Sequence, residues 1–68
     1  MTTYQIELLS QTSDIELMAG IIYIDLHEEN MQAWELLGET KIDTNNPLEA
    51  RPILEKIAKE IINNNNGK

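Results

Sequence analysis

The run from Ile15 to Leu26 constrains this chain most, because Glu16 and Asp25 are its only charged residues. A start signal precedes it. In Ser13-x-x-Glu16 the Ser hydroxyl can accept from the N3 amide and the Glu can reach back to the cap amide, which is a capping box. Asp14 and Glu16 also sit where the positive end of a helix dipole favours carboxylates. A helix from Asp14 to Leu26 is therefore expected. At about 100° per residue it carries two apolar stripes. Ile15, Met18, Ile22 and Leu26 form one, flanked by Ala19 and Tyr23, while Leu17, Ile21 and Ile24 form another on the far side. A helix apolar nearly all round is usually buried all round. Burying three aliphatic side chains is worth roughly 5–9 kcal/mol, comparable to the whole net stability of a small domain. The second stripe therefore needs a cover. It is either the N-terminal segment, through Ile6, Leu8 and Leu9, or a second copy or bound partner.

With 68 residues and no Cys, the chain makes one small domain that stands on its core, a partner, or both. Ten Ile and eight Leu demand burial, and so argue for folding despite a net charge of −7. The absence of Val and Phe leaves a poor palette for a sheet.

Around this helix the chain reads as follows. In residues 1–11 the alternation Tyr4, Ile6, Leu8 is a strand signal, whereas Thr2-x-x-Gln5 before Leu8-Leu9 opens a short helix; the helix is favoured. A strand over Gly20–His27 rivals the central helix, since Ile22, Ile24 and Leu26 alternate. After the polar break His27-Glu28-Glu29-Asn30, a second helix runs from Asn30 to Leu37, with Ala33, Trp34 and Leu37 as its stripe and Gly38 as its stop. Asn46-Pro47-x-Glu49 is another start signal. Pro52 leaves two options, a helix beginning at Pro47 and kinking, or one beginning near Arg51–Pro52. From Ile53 to Ile62 the pattern is cleanly amphipathic, with Glu55→Lys59 in the favourable order on the polar side. The expected fold is all-α: a small helical hairpin plus a C-terminal amphipathic helix, with a short N-terminal fourth helix, against an α+β alternative with an N-terminal strand. Residues 1–62 form the single domain, and the Asn-rich residues 63–68 are expected to be a disordered tail.

Charge is unevenly spread. Residues 1–40 hold eight carboxylates and no Lys or Arg; residues 41–68 hold four carboxylates and all five bases. That argues against nucleic acid or an anionic membrane as a direct partner, since both need clustered bases. No apolar run approaches the roughly 20 residues of a membrane span. The opening Met-Thr-Thr-Tyr-Gln lacks the basic region of a signal or transit peptide, so a cytoplasmic protein is expected.

No chemistry stands out. His27 is the single His, and its expected place is a solvated helix end. Asp43-x-Asn45 begins like a calcium loop, but Leu48 stands where that loop needs Gly and Leu54 where it needs Glu. Three separated glycines make no phosphate loop. No cofactor, metal site or enzyme activity is expected, and Trp34 is expected in the core.

Gly20-x-x-Tyr23 and Ala33-x-x-x-Leu37, with Pro47 where a next helix would begin, resemble one tetratricopeptide hairpin. Tyr23-Ile24-Asp25-Leu26, Leu36-Leu37 and Glu49-Ala50-Arg51 with Leu54 and Ile57 are similar to the closing repeat of FimV-type polar hub proteins. The resemblance implies a helical protein-binding module. Any amphipathic helical hairpin shares these features.

The expected function is an acidic interaction or regulatory module of adaptor, inhibitor, immunity or anti-defence type, as a homodimer. A basic protein would be its partner, bound through Leu17, Ile21 and Ile24 with a rim of Asp14, Asp25, Glu28 and Glu29. The alternative is a nucleic-acid mimic occupying a DNA- or RNA-binding groove.

Overall fold

The start signals are used as helix caps. In the computed structural model, which describes residues 1–66 (Asn66 by its backbone alone), four helices run in order: α1 (Thr3–Gln11), α2 (Ile15–His27), α3 (Met31–Leu37) and α4 (Pro47–Asn66). α1 opens on a reciprocal box in which the Gln5 amide donates to the Thr2 hydroxyl and the Gln5 side chain accepts from the Thr2 amide at 2.9 Å. Asn30 caps α3 by accepting from the Gln32 and Ala33 amides. Asn46 accepts from the Glu49 amide at the start of α4.

The favoured helices form and neither strand alternative does, because among the described residues there is no strand. The Thr2–Gln5 box nucleates a helix over the Tyr4/Ile6/Leu8 alternation, and Gly20–His27 stays within α2. The cap of α2 also differs from expectation. Asp14, not Ser13, accepts from the third helical amide, that of Leu17, at 3.0 Å. Thr12 holds that arrangement by accepting from the Asp14 amide. α4 begins at Pro47 and runs through Pro52. Pro52 has no N–H for the Leu48 carbonyl, and Leu48 lies on the exposed side of α4, at 84% exposure. Glu55 turns back to Arg51, at 2.8 Å, rather than on to Lys59. Residues 63–66 continue α4 instead of fraying, since extending an existing helix needs no new nucleus; the remaining two tail residues lie outside the described residues.

α2 is the central element, packed chiefly on α4 and also on α3, while α1 lies against α4. Tyr4 and Leu8 of α1, Met18, Ala19, Ile22 and Leu26 of α2, Ala33 and Leu37 of α3, and Ala50, Leu54, Ala58, Ile61 and Ile62 of α4 form the core. The first predicted stripe of α2 is thus interior, with Ile15 and Tyr23 half-buried at its edge. Trp34 is not core: it is 36% exposed, and its indole N–H donates to the Leu26 carbonyl, tying α3 to the end of α2.

Candidate protein-binding face

The second stripe stays open. Leu17 is 62% and Ile24 56% exposed on the same side of α2, with Ile21 half-buried between them. The N-terminal segment leaves Leu17 and Ile24 uncovered. α1 spends Tyr4 and Leu8 on the core and turns Ile6 outward. Its position is set by Tyr4, whose hydroxyl donates to the Asp25 carboxylate at 2.5 Å. Burial first, and then that hydrogen bond, push the Tyr4 phenol well above the ordinary tyrosine range.

The predicted acidic rim divides. Asp14 is occupied as the cap of α2. Asp25 is half-buried and holds Tyr4, so it serves the fold. Glu28 and Glu29 are exposed at the C-terminal end of α2, one turn past Ile24. There the Asn30 amide donates to the Asp25 carbonyl at 2.9 Å and the Glu29 amide to the Leu26 carbonyl at 3.1 Å, the double closure of a Schellman turn. Glu29 takes the left-handed position of that turn, at φ 62°, where glycine is usual.

A recess adjoins the stripe. Glu16, Ala19, Gly20 and Tyr23 of α2 face Pro47, Arg51 and Leu54 of α4 around a cavity of about 210 Å³. Its floor is apolar, since Ala19 and Leu54 are buried. Arg51 donates to Glu16 at 3.0 Å across one end and to Glu55 at 2.8 Å. These two carboxylates hold the guanidinium charged, Glu55 above all. At the other end the Tyr23 hydroxyl donates to the Thr44 carbonyl, and its ring stacks on His27 at 6.5 Å. A methyl group built on Gly20 would meet nothing within 4 Å. Sequence reasoning missed this recess because Arg51 lies far along the chain from Glu16, and Glu16 was assigned to a cap. The glycine in mid-helix was the available signal.

Among the described residues no three His, Cys, Asp or Glu side chains gather to hold a metal ion, and no helix is long and apolar enough to cross a membrane. No family model matches the chain, and no curated protein or solved structure matches it either.

Proposed function

We propose that the protein is an acidic protein-binding module, of adaptor, inhibitor, immunity or anti-defence type, that holds a basic protein on the open face of α2. One observation carries this. The same helix that is fully buried at Met18 and Ile22 leaves Leu17 and Ile24 more than half exposed a few residues away. Contiguous exposed aliphatics beside charged groups mark interaction surfaces. The net charge of −7, with Glu28 and Glu29 free at the end of the stripe, steers a basic partner toward it. The likeness of Gly20-x-x-Tyr23 and Ala33-x-x-x-Leu37 to a tetratricopeptide hairpin points the same way.

A nucleic-acid mimic draws less support. It needs a row of free carboxylates, and Asp14, Glu16 and Asp25 are committed to a cap, to Arg51 and to Tyr4. Pairing of two copies would cover the stripe as a homodimer, although −7 on each chain opposes it. Salt separates these cases, because screening strengthens a like-charged dimer and weakens an acidic–basic complex.

The test is capture from the native host with wild type and with Ile24→Lys, identified by mass spectrometry and repeated with purified prey. A basic protein held by wild type and lost by a folded Ile24→Lys supports the reading. Equal retention by both removes it.

A further inference from the structure

We infer that the recess over Gly20 is an anchor pocket, which receives one aliphatic side chain from a basic amphipathic helix of the partner. The inference rests on the protein-binding reading and adds what the partner must present. Two independent observations carry it. The first is the recess itself, an apolar floor of Ala19 and Leu54 between the walls of α2 and α4. From Glu16 to Tyr23 it spans seven helical residues, about 10 Å, the length of one or two side-chain positions on an apposed helix. The second is Gly20. Glycine is a poor residue for a helix interior, and the space beside it is empty, so no contact within this chain requires it. An alanine or leucine there would narrow the recess from its α2 side.

The occupant's chemistry follows from its surroundings. Two antiparallel helices without a free strand edge offer the helix-in-groove mode of recognition. The pocket opens beside Leu17 and Ile24, which extend its apolar surface along the same helix. The single base at its rim, Arg51, is held between Glu16 and Glu55, so the three together are net negative. With Glu28 and Glu29 just past the end of α2, the rim favours cationic side chains flanking the anchor.

The experiment uses the full chain, isotopically labelled, and a synthetic amphipathic Lys/Leu helix with one central Leu. A second peptide has that Leu replaced by Ala. Binding is read from the backbone amide signals of Ala19, Gly20, Tyr23 and Leu54, and affinity from the titration. The wild type is expected to bind the Leu peptide saturably, with those amides shifting, and the Ala peptide about tenfold more weakly. Gly20→Leu is expected to weaken the Leu peptide by about tenfold or more with no fall in thermal midpoint. Gly20→Ala should lie between, and remains the decisive variant if Gly20→Leu folds poorly. Undiminished binding by Gly20→Ala and Gly20→Leu, with loss in Ile24→Lys, overturns the pocket and leaves the stripe standing. Unchanged binding in all three variants, or no saturable binding by wild type, overturns both.

Discussion

Replacing Gly20 by Ala should make this protein more stable. A helix-interior glycine costs about 1 kcal/mol relative to alanine. Gly20 lies well inside α2, away from both of its capped ends. The added methyl would touch nothing, so no packing gain or clash modifies that figure. A chain of 68 residues has a net stability of roughly 3–10 kcal/mol at 0.05–0.15 kcal/mol per residue. The change is thus a sizeable fraction of the whole. For a domain this small it should raise the thermal midpoint by roughly 4–8 °C, read by far-ultraviolet circular dichroism at several protein concentrations. A midpoint that is unchanged or lower refutes the reasoning, since something must then already fill the space over Gly20. If the wild-type midpoint also rises with concentration, that occupant is a second copy.

Other perturbations probe the rest of the molecule. Leu17→Lys and Ile24→Lys should stay within about 0.5 kcal/mol of wild type in chemical denaturation, whereas Ile22→Ala, in the fully buried stripe, should lose roughly 2–5 kcal/mol. Asp14→Ala should cost about 1 kcal/mol and Ser13→Ala almost nothing; the reverse order would return the cap to Ser13. The raised pKa of Tyr4 gives stability that is complete below the unfolded tyrosine value of about 10 and declines above it, as the unfolded chain releases a proton that the folded chain keeps. The slope from this one proton is at most about 1.4 kcal/mol per pH unit, and Tyr4→Phe should abolish it in alkaline denaturation. Neutralising Glu28 and Glu29 together as Gln should slow association with a basic partner at low salt, measured by stopped flow; an unchanged on-rate removes their steering role.

The helices were legible in the sequence because caps and period agree there. Thr2-x-x-Gln5, Asn30 and Asn46-Pro47 each end up at the start of a helix, and the interior stripe of α2 is one of the two that helical periodicity lays out. Local signals failed where two adjacent residues could serve one role. Ser13 and Asp14 are both good caps, and Thr12, outside the motif, favours Asp14 by accepting from its amide. Tertiary partners were not legible. Nothing near Asp25 in sequence announces Tyr4, and nothing near Glu16 announces Arg51. Asp25, read as free rim, and Glu16, read as a capping residue, therefore belong to contacts within the fold.

Two residues depart from what their backbone positions favour, one inside α2 and one in the turn that closes it. Gly20 stands in a helix interior, where alanine would be better and where no contact needs a glycine. Glu29 stands in the left-handed position of a Schellman turn, where glycine would be better by roughly 1 kcal/mol. Each local choice runs against stability, and the two run in opposite chemical senses: a side chain missing where one is favoured, and a charged one present where none is. Packing accounts for neither. The protein-binding role proposed above would account for both, since the first leaves a recess beside Leu17 and Ile24 and the second sets a carboxylate beyond the end of that stripe. Local rules are broken most often where a surface serves something outside the fold. Converting the pair together, Gly20→Ala with Glu29→Gly, should therefore give a more stable protein that binds its partner less well. A double variant that gains stability and keeps full affinity would sever the link between these two residues and function.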